Sequence, residues 1–162
     1  HRIIACIQGL IFTSVNDDRV RGYRDAHKKY NIPLDESLII GDSFGEKNGY
    51  VGAKILLNRA ERPTAIFATS NLISLGALRA ISEEGLKIPD DISIISFDDQ
   101  AYSDYLSTPM TTVVQQKEET GNIASKLLID QIESGIRYNT KGVVLPTKLV
   151  IRKSVKNLKI VR

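Results

Sequence analysis

Short apolar runs alternate along this chain with longer segments in which apolar residues recur every three or four positions. The short runs are rich in β-branched residues, which is typical of strands buried on both faces. They predict strands at Ile3–Ile7, Ser37–Gly41, Thr64–Ala68, Ile92–Phe97 and Thr111–Val114. The longer segments predict helices that start at a capping Asn16, at Glu46–Arg59, from Asn71 to just before Gly85, and at Glu118–Ser134.

Strands that alternate with helices in this way form right-handed βαβ units. The pattern therefore predicts an α/β fold: a three-layer, Rossmann-like architecture with a mostly parallel sheet between helices. Two later segments, Gly142–Pro146 and Lys148–Ile151, are predicted to be extended. In the third helix, the residues expected to face the sheet are Leu72, Leu75, Leu78, Ala80 and Ile81.

Composition narrows the class of protein. The 162 residues are 42% apolar and 25% charged, which fits one ordinary folded domain and excludes disordered or collagen-like chains. No apolar run approaches the roughly 20 residues that a membrane-spanning helix needs. The single cysteine, Cys6, permits no internal disulfide and is expected to be a small buried hydrophobe. We therefore expect a cytoplasmic protein with no membrane partner.

The C-terminal end sets the net charge of +3. Seven basic and no acidic residues lie between Lys141 and Arg162, whereas the other 140 residues carry 15 basic and 19 acidic groups. A nucleic-acid-binding domain usually presents a basic face or a basic recognition helix, and this body is mildly acidic. Residues 155–162 are therefore interpreted as a solvated basic tail.

Polar residues follow four of the predicted strands. The carboxyl ends of parallel strands share one edge of a sheet, where ligands of open α/β folds bind. A carboxylate accepts hydrogen bonds from hydroxyl groups, a guanidinium donates in a fixed fork, and an aromatic ring covers an apolar sugar face. We therefore expect a site for a polyhydroxylated molecule. The side chains delivered to this edge are Arg19, Asp42, Ser43, Phe44, Thr69, Ser70, Asn71, Asp98 and Asp99.

Several of these residues have an alternative role in the fold alone. These alternatives are Asn16 and Asn71 as helix caps, one of Asp98 and Asp99 as the cap of a turn, Arg19 as a solvated helix residue, and Phe44 as packing under its loop. We favour the cap for Asn71 and ligand binding for Asp98.

No catalytic residue is predicted. The chain contains no G-x-S-x-G elbow, Walker loop or G-x-G-x-x-G motif. Of the two histidines, His1 is terminal and His27 falls on the apolar stripe of the first helix. Together with Cys6 they supply no metal-ligand spacing. We expect a protein that is not an enzyme and uses neither a metal nor a cofactor.

Three stretches resemble a known family. They are RPTAIFATSNLISLGALRAISEEGLKIPDDISIISFDDQAYSDYLSTPMTTVVQQ (Arg62–Gln116), DDRVRGYRDA (Asp17–Ala26) and VVLPTKLVIRKS (Val143–Ser154). With them, nearly the whole chain resembles the C-terminal part of the effector-binding core of the LacI/GalR family of bacterial transcription regulators. The resemblance implies two Rossmann-like lobes of a periplasmic-binding-protein-like fold, with effector in the cleft between them.

The resemblance also implies a division of the chain. Residues 1–114 and 143–154 would form the C-terminal lobe, residues 115–142 would cross to the other lobe and supply a helix there, and the basic tail would follow. The DNA-binding headpiece and most of the first lobe would lie outside this chain. The helix at Glu118–Ser134 would then lack its own sheet, and we expect a neighbouring chain to cover it, a rearrangement, or disorder.

The family's effector contacts transfer to five residues by resemblance. Arg19 matches the effector-binding arginine and Asp98 the effector aspartate, while Phe44 stands where an aromatic ring stacks. Gln115 lies at the crossover between lobes. Ser70 replaces a common asparagine, which changes the reach of that position and leaves the identity of the effector open.

The function implied is the effector-binding and dimerisation portion of a transcriptional repressor that responds to a sugar or sugar derivative. Operator DNA would be bound only through the missing N-terminal headpiece. A homodimer is expected, through the helix after Asn71 and the loop Gln100–Thr108 with Tyr102, Tyr105 and Leu106. The alternatives are a periplasmic sugar-binding component of a transporter and, third, a small-molecule enzyme on a Rossmann-like lobe.

Overall fold

The computed structural model describes residues 1–101, 103–135 and 142–158. Within them, one sheet has the strand order β2-β1-β3-β4-β5-β6, and every pairing is parallel except that of β5 with β6. The strands are β1 (Ile4–Ile7), β2 (Ile39–Ile40), β3 (Ala65–Ala68), β4 (Ser93–Phe97), β5 (Thr111–Val114) and β6 (Lys148–Val150). The helices are α1 (Ser14–Lys29), α2 (Glu46–Leu57), α3 (Asn71–Glu83) and α4 (Lys117–Ser134), with a 3₁₀ turn at Glu36–Leu38.

Alternate residues of the central strands face opposite helix layers, as strand geometry requires. Ala5 and Ile7 of β1 contribute to the main core, which also contains the buried side chains of α2 and α3. Cys6, on the other face, packs with Val20 and Tyr23 of α1. The predicted three-layer α/β architecture is confirmed.

Two glycines set the close packing of α2 on α3. A Cβ added to Gly49 would overlap the carbonyl oxygen of Ile73, and one added to Gly76 would overlap that of Glu46. Any larger residue at either position would push the two helices apart, because the overlapping atoms belong to backbone. This packing holds α3, and with it the loop after β3, in place.

The beginning of α1 differs from the prediction. The helix begins at Ser14, the N-cap residue Thr13 makes no side-chain capping hydrogen bond, and Asn16 lies inside the first turn. The Asn16 side chain is buried, and its oxygen accepts a hydrogen bond from the Gly9 amide at 2.8 Å. A cap at Asn16 is therefore wrong, because the side chain closes the β1–α1 loop instead of the helix end. Strand β2 is also shorter than predicted, since Asp35 caps the 3₁₀ turn that precedes it.

The inward face of α3 is rotated relative to the prediction. Leu72 is 47% exposed, and Leu75 and Leu78 are half-buried. The side chains that face α2 and the sheet include Ile73 and Ala77, together with the predicted Ala80 and Ile81. Small residues occupy this face because α2 approaches so closely, and the larger leucines are displaced to its margins.

Helix α4 forms over nearly the predicted range but buries none of its residues. Leu128, Ile129 and Ile132 are all more than half exposed. The segment is described as a helix, and its cover by another chain, a rearrangement and disorder in solution all stay predictions. None of the helices in the described ranges is long and apolar enough to cross a membrane.

Candidate functional site

Arg19 reaches from the first turns of α1 across the carboxyl ends of the strands. One of its terminal nitrogens donates to the Thr69 carbonyl at 2.6 Å, and the other lies 3.8 Å from the Asp98 carboxylate. The guanidinium stacks on the Phe97 ring at 3.8 Å. Burial lowers the pKa of Arg19 and the charge of Asp98 opposes this, yet an arginine remains charged at neutral pH. The alternative of a solvated arginine is wrong, because the side chain is only 13% exposed.

Asp98 follows β4 in a left-handed backbone conformation, with φ at 69°. Its amide donates to the Val113 carbonyl at 2.9 Å, and its carboxylate accepts from the side-chain amide of Gln115 at 2.6 Å. The Lys117 ammonium lies 3.8 Å away. Residues other than glycine seldom adopt this conformation, aspartate does so more often than most, and such positions cluster at ligand sites.

Ser70 follows Thr69, whose carbonyl accepts a hydrogen bond from Arg19, but the Ser70 hydroxyl is directed toward α3 and the Phe44 loop. Its hydroxyl caps α3 by accepting from the Ile73 amide at 3.2 Å, and it donates to the Phe44 carbonyl at 3.4 Å. Ser70 is therefore the cap, and the cap predicted for Asn71 is wrong. The residue is 6% exposed, and Arg19 hydrogen-bonds the adjoining Thr69 carbonyl.

Phe44 packs against Gly9 at the same edge of the sheet. A Cβ on Gly9 would overlap the ring, so the glycine makes room for it. The ring is half-buried against the main core. Asn48, which sequence reasoning missed, joins the two loops: its side-chain amide donates to Gln8 and Ser43 carbonyls.

Asp99 points away from Asp98 and pairs with Arg152. The two carboxylate oxygens of Asp99 lie 3.2 and 2.9 Å from the terminal nitrogens of Arg152. Burial works to raise the pKa of Asp99, but hydrogen bonds from Arg152, Ser103 and Thr112 outweigh it and hold the pKa below its ordinary value. Sequence reasoning missed Arg152, and the only signal for it was its place in the LVIRKS stretch.

The side chains of His27 and Cys6 are buried in the core. His27 is buried, with its Nδ1 3.0 Å from the Tyr23 carbonyl oxygen and its ring against the Tyr23 ring. Burial raises the pKa of the Cys6 thiol to about 12. Among the described residues, no group of three or more His, Cys, Asp or Glu side chains is placed to hold a metal ion.

A cavity of about 730 Å³ begins beside Arg19 and Gln115. Its walls are mostly apolar, with Phe67, Phe97 and Val113 of the sheet facing one flank of α1. Asp98, Ser70 and Phe44 do not line it. Among the described residues, the polar edge and this cavity share Arg19 and Gln115.

The structure therefore brings three of the five expected site residues into direct contact or close approach. Arg19, Asp98 and Gln115 form one cluster. Ser70 and Phe44 lie in adjoining loops of the same edge, linked to each other by a hydrogen bond and to Arg19 through Thr69. Their side chains are directed into the fold more than the other three.

Comparison with known proteins agrees with this architecture. The family model of periplasmic binding protein-like domains matches residues 1–155. The ribose operon repressor of Haemophilus influenzae is 37% identical over 98% of this chain and 48% of its own length. The chain thus spans about half the length of the curated relatives it matches.

Solved structures give the same result. The transcriptional regulator LacI from Bacillus cereus subsp. cytotoxis NVH 391-98 superposes with a TM-score of 0.90 at 34% identity, over 98% of this chain and 56% of that one. The transcriptional regulator CelR in complex with cellobiose gives 0.86 at 34% identity, over 95% and 47%. The chain belongs to the family of periplasmic binding protein-like domains, in the form found in LacI-type transcriptional regulators.

Proposed function

We propose that this chain is the effector-binding portion of a LacI-type transcriptional regulator and that its effector is a sugar or sugar derivative. The observation that carries the proposal is the Arg19–Asp98 cluster at the carboxyl edge of the sheet. Its two charged groups face each other at 3.8 Å, which is too long for a hydrogen bond. Hydroxyl groups of a bound sugar would accept hydrogen bonds from the Arg19 guanidinium and donate hydrogen bonds to the Asp98 carboxylate.

The hydrogen-bonding capacity of the cluster supports a polyhydroxylated ligand. A guanidinium has five N–H donors, and the Thr69 carbonyl takes one from Arg19. A carboxylate offers about four acceptor sites, and Gln115 takes one from Asp98. Arg19 therefore keeps free donors and Asp98 keeps free acceptor sites. Neighbouring hydroxyl groups suit both, because each hydroxyl donates one hydrogen bond and accepts others.

Ser70 and Phe44 complete the proposed site at its margin. Ser70 is short and its hydroxyl already caps α3, so it would contribute space more than a strong hydrogen bond. Phe44 would present the exposed part of its half-buried ring to an apolar sugar face. Gln115 lies between β5 and α4, so it would join effector binding to the connection between the lobes.

A regulator is favoured over a transporter component or an enzyme because the relatives compared above are transcription regulators. In this proposal residues 1–114 and 143–154 form one lobe and residues 115–142 lead to the other, although residues 136–141 lie outside the described ranges. The basic tail at 155–162 is described only to residue 158. A regulator of this type would act in the cytoplasm and reach its operator through a headpiece outside this chain.

The proposal includes a homodimer. Leu72 on α3 and Tyr105 in the β4–β5 loop are exposed, by 47% and 87%, and both belong to the segments where we expect the partner. Tyr102, also expected there, lies outside the described residues. Sedimentation of the full-length protein should show a dimer, and Leu72→Asp should shift it toward monomer. A monomer at every concentration would contradict this.

The test of the effector site is Asp98→Ala in the full-length protein, with D-ribose and cellobiose as probes in calorimetric titrations. Hydrogen bonds to a charged group contribute about 1.5–3 kcal/mol each, so losing two should weaken binding by at least a hundredfold. Asp90→Ala is the matched control, because Asp90 pairs with Lys156 through an exposed contact away from the cluster. Unchanged sugar affinity in Asp98→Ala would remove Asp98 from the site.

A further inference from the structure

Arg152 contacts both ends of the loop that carries Asp98. We propose that Arg152 is a positioning residue for effector binding: by clamping Asp99, it sets the direction of the neighbouring Asp98 carboxylate. The proposal deepens the sugar-binding function above and rests on it. Arg152 itself lies outside the cluster and has no direct contact with Arg19 or Gln115 among its described hydrogen bonds.

The contacts of Arg152 use most of its donors. Besides the two oxygens of Asp99, its guanidinium donates to the Met110 carbonyl at 2.7 Å, to the Thr112 hydroxyl at 3.1 Å and to the Asp104 carboxylate. The side chain is only 13% exposed. A single guanidinium thus holds the start, the middle and the end of the β4–β5 loop, which a lysine with one nitrogen could not do.

The clamp acts one peptide away from the effector carboxylate. Asp98 has the left-handed backbone described above. This backbone conformation sets the direction of the Asp98 side chain, and in this proposal the next residue keeps the backbone in that conformation. Asp99 is that residue, and two parallel hydrogen bonds fix its orientation. Without them, the backbone at Asp98 would relax toward the commoner conformations and its carboxylate would turn away from Gln115.

Strand β6 supplies Arg152 to this loop. The strand is three residues long and pairs antiparallel with β5, with Val114 opposite Lys148. Gln116, at the beginning of α4, donates to the Pro146 carbonyl just before β6 at 2.9 Å. Asp98 is thus contacted by Gln115, just before α4, while Arg152, just after β6, holds its neighbour Asp99.

The chain offers a matched control for the clamp. Arg24 of α1 and Glu36 also form a paired guanidinium–carboxylate contact, with distances of 2.9 and 2.8 Å. This pair involves no residue of the cluster. Arg24→Lys therefore removes the same kind of interaction without touching the effector loop.

The first test requires no ligand. In ¹⁵N-labelled full-length protein, the side-chain amide signals of Gln115 report its hydrogen bond to Asp98, and Asp98→Ala provides the reference for its loss. Arg152→Lys and Asp99→Asn should both move these signals toward that reference, whereas Arg24→Lys should leave them in place. Two variants are used because either one could lower stability, and circular dichroism at the same temperature checks that each is folded. Unmoved Gln115 signals in a folded variant of the clamp would overturn the proposal.

The second test measures affinity for D-ribose and cellobiose. Arg152→Lys should weaken the binding of whichever sugar the wild type binds by about tenfold or more, and the double variant Arg152→Lys/Asp99→Glu should recover part of it by restoring the pair. Arg24→Lys should stay within about twofold. Wild-type affinity in Arg152→Lys would overturn the positioning role while leaving the sugar site intact. If the wild type binds neither sugar, D-ribose and cellobiose are excluded as effectors, and the Gln115 signals still decide the link from Arg152 to Asp98.

Discussion

The carboxyl edge of the sheet and helix α4 both carry apolar and charged side chains but differ in how far their neighbours bury them. At the edge, the charged side chains of Arg19 and Asp98 are mostly buried and held by hydrogen bonds from neighbouring loops. In α4, by contrast, Ile123 and Leu127 are half-buried, and the apolar side chains of Leu128, Ile129 and Ile132 are exposed. An amphipathic pattern thus predicts that a helix forms but not how much the helix contributes to stability, because that contribution depends on the neighbours that the fold provides.

The largest expected effect compares a buried isoleucine with an exposed one. Ile73 of α3 is fully buried, whereas Ile132 of α4 is 72% exposed. Ile73→Ala should lower the free energy of unfolding by about 2–5 kcal/mol because it leaves a cavity. Ile132→Ala should change it by no more than about 0.5 kcal/mol. Urea titrations followed by circular dichroism would measure both, and a large loss in Ile132→Ala would show that α4 packs against something in solution.

A pair of glycines sharpens the same comparison. Gly76→Ala should cost about 1–3 kcal/mol of stability, since its new methyl group meets the backbone of α2. Gly121 of α4 has no atom within 4 Å of an added Cβ. Gly121→Ala should therefore stabilise the protein by about 0.5–1 kcal/mol through helix propensity alone. Thermal unfolding of the two variants should shift the midpoint in opposite directions, and shifts of the same sign would contradict the described packing.

The smallest expected effect is the acid sensitivity of the Asp99–Arg152 pair. The pKa of Asp99 is lower in the folded than in the unfolded chain, so its stabilisation is present above the unfolded value and is lost as the pH falls through the folded value. The stability difference between wild type and Asp99→Asn should be on the order of 1 kcal/mol near neutral pH and shrink below about pH 4. Urea midpoints measured across that range would check it, and a difference that grows on acidification would be inconsistent with the pair.

Much of the fold was predictable because local patterns carry it. Apolar runs and helical spacing located the strands and helices, and strand alternation implied the parallel sheet. The beginning of α1 and the inward face of α3 were not predictable in this way. Asn16 hydrogen-bonds the Gly9 amide in place of capping a helix, and α3 turns its small residues inward because α2 approaches closely.

The candidate site also contains some residues that could be predicted from the sequence and others that could not. Arg19 and Asp98 were predicted from their positions after strands and from the family resemblance, and the structure brings them together. The hydroxyl of Ser70 was expected to face a ligand, and in the structure it caps α3. Whether these residues bind the effector stays a prediction. The partner of Asp99 could not be predicted, because Arg152 lies 53 positions away and no local pattern relates the two.

The order of apolar and polar residues by itself determined the class of fold, the sequence of its elements and the edge at which polar side chains collect. These properties depend on the periods of strand and helix, which are short enough to be visible in the chain. The packing of distant segments was needed to show which hydroxyl caps a helix, which carboxylate is clamped and which faces Arg19. Each of those outcomes depends on contacts between distant segments, and their geometry exists only once the sheet has formed.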